Sequence, residues 1–329
     1  MRSLLKVELT RLRWRRAVLV MLLGAVVAPL LIAAGVLWDT RPVSDADIAR
    51  AKEDAQYSAE MSRPAYDDCV ADPSGYGVTA DDDPASACRD MVGYYPDSEN
   101  WQDYLYRSVL NLPAQLDESA SAVAAIVVIL AILLGTTFVG ADWASGSMSN
   151  QLLFEPRRTR VWWAKGITVA LAGAVLTLLG LVVFWAVLGT GAALRDVSVP
   201  GSLWGDVAGH AGRAMILGAA AALAGFALTM FFRSTVATLG VVVVVTALSS
   251  LIVGLMPIAD PIQWQPTMHA LAFLQNGFDY TYWPSNCWDS DCGEEERTIS
   301  MLRGSLFLGT LVLAAVAASL ASFRRRDVP

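Results

Sequence analysis

Apolar positions in this chain cluster in long unbroken runs instead of recurring at helical or strand spacing within polar sequence. Charge-free stretches cover residues 17–38, 119–141, 166–194, 214–232, 234–259 and 304–323. Each is long enough to cross a hydrocarbon core, which takes roughly 20 apolar residues as a helix. A seventh charge-free run, 261–278, reads PIQWQPTMHALAFLQNGF, and its prolines and amides suit a lipid-facing span poorly. The pattern predicts an all-α membrane protein with six transmembrane helices. The fraction of hydrophobic residues, 55%, against 17% charged agrees with this class.

Charge then orients the six spans. With the N-terminus inside, residues 1–16, 142–165, Arg233 and 324–329 are cytoplasmic and hold fourteen basic and four acidic residues; the outer segments hold ten basic and 27 acidic. An excess of Lys and Arg marks cytoplasmic flanks, so both termini are expected in the cytoplasm. The division is a cytoplasmic interfacial segment at 1–16, spans at 17–38, 119–141, 166–190, 214–232, 234–257 and 304–323, extracellular segments at 39–118, 191–213 and 258–303, a cytoplasmic segment at 142–165 and a tail at 324–329. A seventh crossing would put Arg324 to Arg326 outside, so 261–278 is expected to enter the outer leaflet and return. A basic start before an apolar run also resembles a signal peptide, but 17–38 exceeds the usual apolar core of roughly 7–15 residues and five more runs follow. The net charge of −7 resides in the outer loops and gives no reason to expect nucleic acid as a partner.

Local signals fill in the segments. Leu5, Leu9 and Leu12 share helical spacing among bases, which fits a helix lying flat on the membrane or a basic topogenic flank alone. In the enlarged first outer loop, Ser44 with Asp47 starts a helix towards Met61, and Ser98 caps another holding Trp101, Leu105 and Leu112. Cys69, Cys88, Cys287 and Cys292 all fall outside, where disulfides persist; the local pairs 69–88 and 287–292 are favoured over metal binding, because neither spacing is a zinc signature. The stretch GAAAALAG, Gly218 to Gly225, supplies small residues for close helix packing.

The segment GADWASGSMSNQLLFEPRRTRVWWAK, Gly140 to Lys165, is the most informative. Its Ser-rich start is too polar to enter the bilayer, Leu152 to Phe154 can rest on the membrane surface, and Pro156 stops a helix after Glu155. Arg157, Arg158 and Arg160 face anionic headgroups, Trp162 and Trp163 occupy the interface, and Lys165 opens the third span. The order of second span, acid, small-Ser-Gly-small turn, Leu-rich helix, Pro-Arg-x-x-Arg and Lys resembles the transmembrane subunits of type 2 ABC exporters. A second local likeness is GFALTMFFRSTVATLG, Gly225 to Gly240, at the corner of the fourth and fifth spans. Departures from the family are Asp142, where Glu is commoner, and the large first loop.

The resemblance implies that the helix 142–155 is a coupling element for a separate ATPase subunit, with Asp142, Ser145, Gly146, Leu152, Arg157 and Arg160 as its contact residues. It implies a second permease copy, or a related permease, across a path bordered by spans two and five, with Thr136, Thr137, Thr246, Ser249 and Ser250 as lining. Small neutral lining favours an apolar or amphiphilic substrate over an ion. ATP and Mg would sit on the partner, since no GxxxxGK[ST] loop occurs here. No cofactor or metal is expected on this chain, and the compartment implied is the bacterial plasma membrane. Secondary transport would call for an ionisable group inside a span, and none of the six runs has one. A membrane hydrolase is disfavoured because His210 and His269 lie outside whereas Ser145 and Ser147 lie inside. The remaining alternative is a non-transporting receptor or assembly scaffold that uses the acidic loop.

Overall fold

The computed structural model describes residues 2–78, 83–95, 100–105, 109–256, 260–282 and 295–326. Contacts divide the chain into a helical unit, Met1–Gly35 with Asn111–Pro329, and a second unit, Val36–Leu110.

In the first unit, α1 (Arg2–Arg13) precedes α2 (Arg16–Asp39). The short α5 (Leu112–Asp117) leads into α6 (Ser119–Ala144), followed by α7 (Ser147–Phe154), α8 (Arg158–Leu194) and α9 (Leu203–Phe232). The next span is composite: α10 (Thr235–Val243), a π-helical segment Val244–Leu248, and α11 (Ser249–Gly254). A nine-residue helix, α12 (Pro266–Leu274), and the antiparallel pair β1 (Phe278–Tyr282) and β2 (Glu295–Ile299) precede the last helix, α13 (Met301–Arg325). Among the described residues six helical stretches are long and apolar enough to cross a membrane: Arg16–Asp39, Leu112–Ala144, Arg158–Leu194, Leu203–Phe232, Thr235–Gly254 and Met301–Arg325. The chain is thus a multi-pass, largely helical membrane protein.

The centre of this unit is α6, α8 and α9. Small residues let these helices approach closely, as packing in lipid requires. A Cβ added to Gly173 would come within 2.6 Å of Gly218 O, and one on Gly225 within 2.6 Å of Ile132 O, so larger residues cannot replace them without moving a backbone. Buried threonines turn their hydroxyls onto their own helix: Thr168 donates to Ala164 O at 2.8 Å and Thr177 to Gly173 O at 2.9 Å, leaving no orphaned donor. The composite fifth span is almost entirely uncovered by the rest of the chain, with 6% of its apolar window buried against 50% for α6.

The segments carrying the basic excess meet at one end of the bundle. Arg158 Nη1 donates to Arg326 O at 2.6 Å and Phe323 O at 3.2 Å, Arg326 Nη1 to Phe231 O at 3.3 Å, and Arg15 Nη1 to Phe138 O at 2.7 Å. Two of these arginines satisfy carbonyls at the ends of α13 and α9, where backbone acceptors are orphaned and the helix dipole favours cations, and the third reaches a carbonyl inside α6, six residues before its end. At the opposite end, Gln275 Nε2 donates to Asp117 O at 2.8 Å and Arg213 Nε to Leu274 O at 2.7 Å, which seats α12 against α5 and α9.

Several expected boundaries move. Residues 261–278 form a 3₁₀ turn at Pro261–Trp264 and then α12, roughly 13 Å long, too short for a crossing. Asn276 (φ 65°) and Gly277 (φ 133°) reverse the chain into β1, so the segment 258–303 contains an antiparallel strand pair that an all-helical reading omits. The third span begins at Arg158, seven residues before the end of the segment 142–165 assigned to a cytoplasmic loop.

The second unit is built on α3 (Asp45–Ala71) and α4 (Pro84–Val92). Ser44 N donates to Asp47 Oδ2 at 3.0 Å and Asp47 N to Ser44 Oγ at 3.4 Å, the reciprocal cap that starts α3. The helix continues ten residues past Met61, through Pro64. Cys69 and Cys88 form a disulfide, both fully buried, and Tyr66 stacks on Tyr94 with centroids 4.5 Å apart. Ser98, Cys287 and Cys292 lie outside the described residues, so that cap and the second bridge do too. Trp101 to Tyr104 form only a 3₁₀ turn, and Leu112 opens the separate helix α5 under its own cap, Asn111, whose Oδ1 accepts from Ala114 N at 3.4 Å.

Candidate functional site

The corner between the second and third spans is made by local chemistry. Ser145 Oγ donates to Ala141 O at 2.8 Å, folding its side chain back on α6. Gly146 then takes φ 69°, a left-handed conformation that costs glycine nothing and other residues roughly 1 kcal/mol or more. α7 runs for eight residues, and Glu155, held extended by the proline after it, ends the helix. The helical element is therefore 147–154 and not 142–155, because the turn at Ser145 and Gly146 separates Asp142 from it.

Of the six residues assigned to partner contact, Ser145, Gly146, Arg157 and Arg160 are exposed and Leu152 is half-buried. Leu153 and Phe154 at the end of α7 are 80% and 91% exposed, an apolar tip beside the two arginines. Asp142 is the exception: it is 2% exposed and faces inward, so it cannot be a docking residue.

Its partners form a buried ionic network. Lys165 Nζ, fully enclosed, donates to Asp142 Oδ2 at 2.6 Å and to Glu8 Oε2 at 3.0 Å. Arg15 pairs with Asp142 Oδ1, which also accepts from Ser147 Oγ at 3.1 Å. Glu8 Oε1 accepts from Gln151 Nε2 at 2.7 Å. Arg11, half-exposed, adds a longer contact to Glu8 Oε1 at 3.7 Å, so the two carboxylates face Lys165, Arg15 and Arg11, and each also receives a side chain from α7. Losing one member of such a buried set costs about 3–5 kcal/mol, because a desolvated charge is left without its partner.

Glu8 is the member that sequence patterning missed. The inward face of α1 holds Glu8, fully buried, and Leu12, 8% exposed, whereas Leu9 is 45% exposed. The available signal was a lone acid among six bases, one helical turn from Leu5 and Leu12. α1 is accordingly docked on the bundle through Glu8, and Leu5, Leu9 and Leu12 do not form one lipid-facing stripe. Trp162 also departs from its interfacial assignment: it is fully buried, donates Nε1 to Ser319 Oγ at 3.1 Å and meets Phe226 edge-on at 5.2 Å. Trp163 keeps 40% exposure.

The two stretches that carried the family resemblance are neighbours in space. At the second corner Arg233 takes φ 57°, Ser234 Oγ accepts from Ala237 N at 3.3 Å, and Thr229 and Thr238 share a hydroxyl hydrogen bond of 3.1 Å. Thr235 packs on Gly140, two residues before Asp142, and the Arg233 guanidinium lies 4.8 Å from the Trp143 ring centre.

The residues assigned to a path are divided. Thr136 is fully buried in the α6–α9 seam with its hydroxyl on Ile132 O at 2.9 Å, so it lines no path in this arrangement. Thr137 donates to Leu133 O at 2.7 Å and is half-buried. Thr246 and Ser250 are exposed on the fifth span, and Ser249 Oγ is buried without a hydrogen-bond partner beside the π-helical segment.

At the opposite end a second polar cluster fastens the hairpin. Asp260 Oδ2 accepts from Tyr280 Oη at 2.6 Å, Gln263 Nε2 at 2.7 Å and Arg297 Nη1 at 2.9 Å. Burial raises the Asp260 pKa, but these donors and the Arg297 charge outweigh it and hold the carboxyl below its ordinary value of 3.8. Burial and the Asp260 hydrogen bond push Tyr280 above 10.0. His269 stacks on Phe307 with centroids 4.0 Å apart and its Nε2 donates to Gln263 O at 2.9 Å; burial, aided by the Arg303 charge, lowers its pKa despite that carbonyl. Nearby, Ser121 Oγ and His210 Nε2 stand 3.4 Å apart, longer than the roughly 2.6–3.2 Å of an activated nucleophile and base. His210 Nδ1 has no hydrogen-bond partner to orient the ring. No protein-family model, curated protein or solved structure matches this chain.

Proposed function

We propose that this chain is the membrane-spanning subunit of an ATP-driven exporter of the type 2 ABC class, with α7 as the helix that engages a separate ATPase subunit. The observation that carries the reading is the corner itself: an eight-residue helix with an accessible polar turn and an apolar tip, anchored from beneath by a buried ionic network between two spans. A short helix with no load on it needs no such anchor. The ATPase subunit would bring ATP and Mg. The basic end would face the cytoplasm of a bacterial cell, and α12 would dip into the outer leaflet. A second permease copy, identical or related, would cover the exposed fifth span. The path would run between the copies beside Thr137, Thr246 and Ser250 and would suit an apolar or amphiphilic substrate.

The test is replacement of two corner residues that take no part in the buried network, the exposed Gly146 and the half-buried Leu152. Gly146→Arg and Leu152→Glu should leave membrane insertion intact and lower recovery of the ATPase subunit at least tenfold in co-purification. A cysteine at Ser149 should cross-link to that subunit. Full assembly and full ATP hydrolysis in both variants would return α7 to an ordinary surface helix. The separately compact, disulfide-closed unit Val36–Leu110 favours a second reading, a receptor or assembly scaffold. Deleting residues 45–104 should abolish function under that reading and spare ATPase coupling under the first.

A further inference from the structure

Lys165, Glu8 and Asp142 are buried so completely that packing alone does not account for them. Networks of this kind can be replaced by neutral side chains of similar volume without loss of stability, whereas an apolar seam tolerates sliding that short ionic contacts do not. Both carboxylates receive side chains from α7: Gln151 on Glu8 at 2.7 Å and Ser147 on Asp142 at 3.1 Å. Both are then bridged by one ammonium on α8, at 3.0 and 2.6 Å. Arg11 on α1 lies 3.5 Å from the Gln151 side-chain oxygen. A displacement of α7 by an ångström or two must therefore be followed by Glu8 and Asp142, and through their ion pairs by Lys165, or must break two hydrogen bonds to desolvated carboxylates.

We infer that Glu8, Asp142 and Lys165 are positioning residues that carry movement of α7 into α1 and α8, which makes the N-terminal helix a working part of the coupling apparatus. The inference rests on the reading of α7 as the docking helix.

The experiment uses the whole complex, purified with its ATPase subunit and reconstituted in lipid. The triple variant Glu8→Gln, Asp142→Asn, Lys165→Met removes the ionic contacts while keeping volume. Spin labels at Thr10 and at Asn150, both exposed, are each measured against a label at Arg324 before and after addition of ATP, Mg and orthovanadate. Both distances should shift together in the wild type. In the triple variant only the Asn150 distance should shift, and ATP hydrolysis by the complex should change at least tenfold. A Thr10 shift that survives the triple replacement, or that is absent from the wild type, overturns the inference. Should the triple variant fail to assemble, Gln151→Leu, which leaves every ionised group in place, must at least halve the Thr10 shift; an unaltered shift again overturns it. A wild-type chain that binds no ATPase subunit removes the docking reading and this inference with it, whereas binding with an unaffected triple variant removes the inference alone.

Discussion

The helical unit is fastened at its two ends by polar clusters of opposite character. At the basic end, Lys165 and Glu8 are wholly enclosed and bonded ion to ion, and the partners come from α1, α6, α7 and α8. At the other end, Asp260 collects three donors, one of them on Arg297, whose side chain remains 34% exposed and also stacks 3.9 Å from the Tyr282 ring centre. The first cluster joins two spans to α1 and α7, and its central pair, Lys165 and Glu8, is shut off from solvent. The second joins a hairpin to a short turn and can be rehydrated. The physical lesson is that the same residue types serve as a rigid joint in one place and a releasable clasp in the other, according to desolvation.

The largest effect is expected from Lys165→Met alone, which strips the buried Glu8 of its enclosed counter-ion, leaving it only the half-exposed Arg11 at 3.7 Å, and leaves Asp142 to Arg15. Thermal or denaturant unfolding in detergent should show a loss of about 3–5 kcal/mol. The isosteric triple variant, which leaves Arg15 to the Phe138 carbonyl and to solvent, should recover part of it. A single variant as stable as the wild type would show that water reaches the joint and would erase the contrast with the hairpin.

The hairpin clasp should respond more weakly. Tyr280→Phe removes one of three donors to Asp260 and should cost about 0.5–1.5 kcal/mol, read as faster amide exchange in β1 and β2 with no change in α6 or α8. An effect spread over the whole unit would show that the clasp is part of the bundle core.

The same contrast explains what was legible in the sequence. Span count, the Ser44 and Asp47 cap and the packing role of Gly218 to Gly225 depend on local composition or spacing, and the structure contains all three. Glu8 could not be read as a buried anion, because its partner Lys165 is 157 residues away and pattern alone cannot pair them. Trp162 was misassigned for a related reason: a Trp next to bases usually marks the interface, but here Ser319 and Phe226 enclose it. β1 did carry a signal, the alternation of Phe278, Tyr280 and Tyr282 with polar residues, but the neighbouring charge-free run drew the segment into a helical reading. Asp142 closes the charge-free run of the second span, but an acid at a helix end carries no sign of which way it faces, and here it faces inward.

Acid should separate the two ends. Asp260 has a folded-state pKa below its ordinary 3.8, so its contribution is complete above that value and is lost as pH falls through the lower folded-state value. Tyr280 shifts the other way: its pKa lies above 10.0, so its contribution is complete below pH 10.0 and is lost as pH rises through the folded-state value. Exchange protection in the hairpin should therefore be flat across neutral pH and fall at both extremes. A decline on the acid side of pH 6.5 but above the carboxylate range would instead implicate His269, whose pKa burial lowers from its ordinary 6.5.

The smallest effect should come from Glu295, which is the exposed wing of the clasp. Its carboxylate accepts from Arg297 Nη2 at 2.7 Å and Nε at 3.2 Å, a two-point contact, but its side chain is 56% exposed. Exposed pairs of this kind contribute about 0–1 kcal/mol and weaken as salt screens them. Arg297 also keeps Asp260 and the Tyr282 ring when Glu295 is gone. Glu295→Gln should therefore change hairpin protection less than Tyr280→Phe does, and 0.5 M salt should reduce even that small difference. A loss matching that of Lys165→Met would mean that the hairpin charges are as desolvated as the basic-end joint, and the distinction between clasp and joint would fall.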